Sequence, residues 1–157
     1  MTTATARPDV QAFYDRATGT FTYVVYCAQT KICAVVDPVL DLDYASGTVS
    51  ANSADRVAEF VVRHNLSISH LLETHVHADH LSAAPYLQAK LGGKIAIGSQ
   101  ITGVQQIFAE IFNESSDFVP DGGQFDLLFE DGQSFGIGEI QAYAIHVPGH
   151  TLPAWPT

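Results

Sequence analysis

Apolar and polar positions along this chain recur with two periods, and the switches between them mark out elements. Phe21–Tyr26 is β-branched and aromatic and predicts a strand. Lys31–Val36 predicts a second, joined to the first as a hairpin by a turn around Gln29-Thr30. Pro38 is expected to end ladder pairing, and the Ser, Gly, Thr and Asn residues of 43–53 predict a loop. From Ala54 to Asn65 the period changes: Val57, Phe60 and Val61 fall on one helical face, with Arg56, Glu59 and Arg63 on others. Ile68–Glu73 returns to strand. Leu81–Leu91 reads as a helix closed by Gly92-Gly93, and Lys94–Ile97 as a strand. Gln100–Asn113 places Ile101, Val104, Ile107, Phe108, Ile111 and Phe112 at helical spacing, which predicts a packing face. After a loop over 114–123, strands are expected at 125–129, 134–137 and 140–147, with Asp131-Gly132 as a hairpin turn. Strands interleaved with helices make this an α/β (α+β) chain.

Composition narrows the class without changing that order. A length of 157 residues suits one domain covering residues 1–157. With 46% hydrophobic and 15% charged residues, the chain has the balance of a globular protein. No apolar run approaches the roughly 20 residues that cross a bilayer. Met1–Asp9 is polar, so no signal peptide is expected, which favours a cytoplasmic location. Without a secretory context, Cys27 and Cys33 read as small buried residues and not as a disulfide. A net charge of -10 argues against nucleic-acid binding, because an acidic surface repels phosphates. A homodimer is compatible with this reading.

The chemistry concentrates in Thr74-His75-Val76-His77-Ala78-Asp79-His80. Three of the seven histidines fall within six residues, with an aspartate between the second and third. Imidazole suits zinc, iron and copper, and carboxylate is its usual co-ligand. In extended chain, residues two apart point the same way, so His75 and His77 can face one metal. The cluster follows a strand end, where α/β folds place their sites. A distant partner is His150, just past the Pro148-Gly149 turn; His146 is a weaker candidate. His64 and His70 read as helix-end and strand residues. Asp37, at the end of a strand, reads either as an outer partner that orients a ligand histidine or, like Asp41, as a turn or cap residue.

His75-Val76-His77-Ala78-Asp79-His80 resembles the HxHxDH signature of the metallo-β-lactamase fold, and Pro148-Gly149-His150-Thr151 resembles its second ligand motif. The runs 37–41 and 74–85 look most like persulfide dioxygenases and the β-lactamase hydrolase-like proteins; thioester hydrolases of the glyoxalase II type are close relatives. The resemblance implies a four-layer αββα sandwich with metal in a cleft at one edge of its sheets. In the dinuclear hydrolases of the family, His75, His77 and His150 would hold one Zn(II), and Asp79 and His80 the other. In its persulfide dioxygenases one Fe(II) would be held by His75, His150 and a later Asp, converting glutathione persulfide to sulfite and glutathione. His77, Asp79 and His80 would then hold water or substrate, with Asp79 the candidate catalytic carboxylate and Asp37 an outer partner.

The pattern departs at residues 152–157. The resemblance predicts a core strand there, yet Pro153 and Pro156 intervene, and proline cannot donate to a ladder. The expectation is a C-terminally truncated domain, incomplete in its second half and impaired by that loss. A natural short variant is the alternative, as is an inactive metal-binding fragment.

Overall fold

The computed structural model describes residues 7–114 and 117–149. The elements run β1 (Asp9–Tyr14), β2 (Phe21–Tyr26), β3 (Ile32–Val36), β4 (Val39–Asp43), β5 (Thr48–Ser50), α1 (Asn52–Arg63), β6 (Ser67–Leu72), β7 (Leu81–Ser82) and α2 (Ala84–Leu91). They continue with β8 (Lys94–Gly98), α3 (Ile101–Phe112), β9 (Leu127–Phe129), β10 (Ser134–Ile137) and β11 (Ile140–Tyr143). Six strands form one sheet in the order β1-β2-β3-β6-β8-β9. β1, β2 and β3 pair antiparallel, while β3, β6, β8 and β9 run parallel. Parallel neighbours need crossovers, and α1, α2 and α3 lie in those connections.

The two faces of this sheet are covered differently. Val24, Cys33, Val35, Ile68 and Leu71 pack against Ala54, Val57, Ala58 and Val61 of α1 and Ala84 and Leu87 of α2. On the other face, Cys27 and Ala34 meet Ile137 and Ile140 of the β10–β11 hairpin. This is the helix–sheet–sheet layering of the αββα class. A bulge lets β6 serve both faces: Cys33 pairs with Ile68 and Ala34 with His70, leaving Ser69 as the extra residue. Ile68 and Leu71, three apart, thereby join the helix side. The Ser69 hydroxyl donates to the Cys33 carbonyl at 3.0 Å. Gly138 turns the hairpin at φ 61, where a Cβ would run into the Thr30 side chain, so the second layer seats through a position only glycine fits.

Several expectations need correction. The exposed strand β1 was not foreseen. Pro38 ends pairing within the large sheet, but the chain resumes at once as β4 in a second sheet, β5-β4-β7. Part of the expected loop over 43–53 is therefore β5. Leu81–Ser82 pairs with Val39 and Leu40, so α2 starts at Ala84, with Pro85 in its first turn. Asp131-Gly132 joins strands of different sheets, and the hairpin turn lies at Gly138-Glu139. β11 ends at Tyr143, short of Val147. In α3 only Ile101 is fully buried; Phe108, Ile111 and Phe112 are exposed among the described residues. Cys27 and Cys33 are free and buried. Asp41 caps α1 from β4, taking Ser53 N–H at 2.8 Å and its hydroxyl at 2.6 Å. Among the described residues, no helix is long and apolar enough to cross a membrane.

Candidate metal centre

The parallel strands β3 and β6 end side by side and deliver the site from their carboxyl ends. Asp37 N–H donates to the Leu72 carbonyl at 2.9 Å, and Glu73 N–H to that of Ala96 at 2.9 Å. Asp37 then sits at φ 49, a left-handed conformation that aspartate tolerates. Its Oδ1 accepts Thr74 N–H at 2.8 Å and its Oδ2 the Thr74 hydroxyl at 2.7 Å. The loop that follows is not extended, but its turns bring the imidazoles together. Ring centroids are 4.1 Å apart for His75 and His77, and 4.1 Å for His77 and His80.

Hydrogen bonds decide which ring nitrogen carries each proton. The Thr74 hydroxyl has one proton and gives it to Asp37, so toward His75 Nδ1, 2.8 Å away, it can only accept. His75 is thereby the Nδ1–H form, with its lone pair on Nε2. His77 turns Nε2 toward Asp37 Oδ1 at 3.0 Å and Glu73 Oε2 at 3.3 Å, which leaves Nδ1 for a metal. His80 Nδ1 lies 3.3 Å from Asp79 Oδ2, and its Nε2 is buried with no hydrogen-bond partner. A buried bare imidazole nitrogen is costly unless something electrophilic fills the space beside it, so the donor set fits a divalent cation. Donor atoms of His77, Asp79 and His80 lie within 4.8 Å of one another.

Charge follows the same geometry. Burial works against the His77 imidazolium, but Asp37 and Glu73 outweigh it and raise the ring to about 9. Burial also opposes the Asp37 carboxylate, yet bonds from His77 and Thr74 hold it below its ordinary value. The Thr20 hydroxyl, donating to Asp79 Oδ2 at 2.6 Å and helped by His80, lowers Asp79 to about 2. His77 is thus an imidazolium at neutral pH, and an ion taken at Nδ1 would have to displace a proton.

Of the residues singled out in the sequence, the fold gathers His75, His77, Asp79, His80 and Asp37 at one point. His150 lies outside the described residues. His146 is on an exposed stretch, its N–H bonded to Asp131 Oδ1 at 2.8 Å. Sequence reasoning missed Glu73, Thr20 and Ser82. Only Glu73 carried a signal, an acidic residue directly after an apolar strand.

Residues 15–153 match the Metallo-beta-lactamase superfamily. A beta-lactamase hydrolase-like protein of Agrobacterium fabrum is 48% identical over 147 residues, 94% of this chain and 34% of that protein. The mitochondrial persulfide dioxygenase of Homo sapiens is 25% identical over 142 residues, 90% of this chain and 44% of that protein. A metallo-beta-lactamase structure from Staphylococcus aureus superposes with a TM-score of 0.61 at 24% identity, covering 94% of this chain and 37% of that one. The chain spans about a third to a half of the length of the curated relatives it matches. With the family match running through almost its whole length and the histidine-rich loop at the mouth of the sheet, the chain belongs to the metallo-beta-lactamase superfamily.

Proposed function

We propose that this chain is a metal-dependent enzyme acting on a small thiol-derived substrate, with oxidation of a persulfide such as glutathione persulfide at one Fe(II) as the reaction. The observation that carries the metal centre is the gathering of His77, Asp79 and His80 donor atoms within 4.8 Å of one another, with His80 Nε2 buried and without a hydrogen-bond partner. A divalent ion bound there supplies Lewis acidity and open coordination positions. The residues do the rest. Asp37 and Thr74 hold the imidazoles in their ligand tautomers. Asp79 stays ionised, and its Oδ2 already takes the Thr20 hydroxyl and faces His80. That engagement suits a carboxylate that stays charged and orients water or substrate by accepting a hydrogen bond. Persulfide, dioxygen and water would give sulfite, thiol and two protons, the outer sulfur being oxidised as dioxygen is reduced. The similarity to the human persulfide dioxygenase supports the substrate class.

A second reading is hydrolysis at two Zn(II) ions. Asp79 and His80 favour it, since with His77 they group donor atoms within 4.8 Å that would serve a second ion. The hydrolase-like relative at 48% identity supports it as well. Metal analysis of the purified chain, paired with an oxygen electrode and a glutathione-thioester hydrolysis assay, separates the two. About one iron with oxygen uptake on glutathione persulfide is the expected result. About two zincs with hydrolysis and no oxygen uptake moves the assignment to the second reading. A chain that retains neither metal refutes both.

A further inference from the structure

Glu73 stands directly after β6, where the sequence reads as the end of a strand, and its side chain is only 6% exposed. Its Oε1 accepts the Ser82 hydroxyl, and Ser82 Oγ in turn accepts Ala84 N–H at 3.0 Å at the start of α2. Its Oε2 is buried with no hydrogen-bond partner, yet lies 3.3 Å from His77 Nε2. Asp37 Oδ1 approaches the same nitrogen at 3.0 Å. A buried carboxylate oxygen is costly unless a donor faces it, and among the described residues the polar group facing Glu73 Oε2 is His77 Nε2 at 3.3 Å.

We propose that Glu73 is a positioning residue of the metal centre. With Asp37 it brackets the Nε2–H of His77 between two carboxylates, so that the ring presents Nδ1 to the ion. Metal on Nδ1 withdraws electrons from the ring and strengthens Nε2–H as a donor, and the second carboxylate absorbs that added polarity. Ser82 and the first N–H of α2 hold Glu73 in turn, which ties the ligand's orientation to the docking of that helix. This inference rests on the metal-centre reading above and adds to it a residue outside the histidine signature.

The test titrates the full 157-residue chain with Zn(II) against a chromophoric chelator, beside E73Q, S82A and E110Q. E73Q keeps an acceptor for Ser82 but replaces the carboxylate oxygen beside His77 Nε2 with an NH2 that cannot accept its proton; E110Q sits on exposed helix surface. Circular dichroism of the metal-free proteins checks folding. E73Q is expected to bind zinc about 10–100-fold more weakly, S82A to lose less in the same direction, and E110Q to match wild type. Long-range 15N–1H spectra of the zinc-loaded wild type should show His77 protonated at Nε2 with Nδ1 on the metal. Simple loss of packing would not move that signature. If E73Q does not fold, the wild-type spectrum decides. Zinc on Nε2, E73Q affinity within about twofold of wild type, or a second bound zinc that only E73Q abolishes would each overturn the proposal. No uptake by wild type removes the metal centre, and the role of Glu73 with it. Tight binding by both wild type and E73Q removes only Glu73.

Discussion

Asp37→Asn asks how much of the ligand loop depends on one carboxylate. Asp37 takes Thr74 N–H at 2.8 Å and the Thr74 hydroxyl at 2.7 Å, and lies 3.0 Å from His77 Nε2. Asparagine has the same shape and tolerates φ 49, so backbone strain does not confuse the result. Its carbonyl can keep the Thr74 N–H and His77 contacts without charge, but its NH2 then faces the Thr74 hydroxyl. That hydroxyl must accept, and its own proton turns toward His75 Nδ1. His75 is driven to the Nε2–H form, which blocks the nitrogen meant for metal. Hydrogen bonds to a charged group contribute roughly 1.5–3 kcal/mol against about 0.5–1.5 for neutral ones, so three weakened bonds amount to about 3 kcal/mol. The sign with pH follows from both partners. Asp37 is lowered, so its contribution is present above 3.8 and lost as pH falls through its folded value. His77 is raised, so its contribution is present below 6.5 and lost as pH rises through about 9. The stability gap between wild type and variant should be widest between pH 3.8 and 6.5 and should narrow toward pH 9. Urea unfolding of the metal-free chain in chelator measures it, and zinc competition should show about 10–100-fold weaker binding. A loss under about 0.5 kcal/mol at every pH, with metal affinity unchanged, refutes the reasoning.

Leu87→Ala, at a position with 0% exposure where α2 meets the sheet, should cost about 2–5 kcal/mol in chemical denaturation. Leu87→Met should stay under about 1.5 kcal/mol, since volume is conserved. His70 packs on Phe135 at 5.4 Å, and burial, with Lys94 nearby, lowers its pKa. A lowered histidine favours the fold above its ordinary 6.5 and withdraws that stability as pH falls through the folded value. His70→Phe should therefore lose less thermal stability than wild type between pH 7 and 5, and parallel melting curves would count against this.

Much of the fold was legible because its elements carry a local apolar pattern. In β2 and α1 the buried positions recur at the period of the backbone, while β3 and β8 are short apolar runs buried through three consecutive residues. β1 was not legible, since its residues are largely exposed and only its pairing with β2 and the packing of Phe13 on Phe60 tie it down. β4 and β7 were not legible because Val39 and Ser82, 43 positions apart, define each other as strands. The apolar face of α3 misled for the opposite reason: helical spacing states which residues share a face, not whether anything covers it.

The site divides in the same way. The sequence alone determined the kinds of donor and their spacing, because His75, His77, Asp79 and His80 are neighbours on one loop and need no long-range contact to be read. Their orientation was a tertiary matter. An imidazole offers either nitrogen until a partner claims the other, and those partners arrive from elsewhere: Asp37 from the end of β3, Glu73 held by Ser82 of β7, and Thr20 from the turn before β2. Sequence spacing grouped the candidate donors, and packing of distant segments chose which nitrogen each imidazole turns to its neighbours.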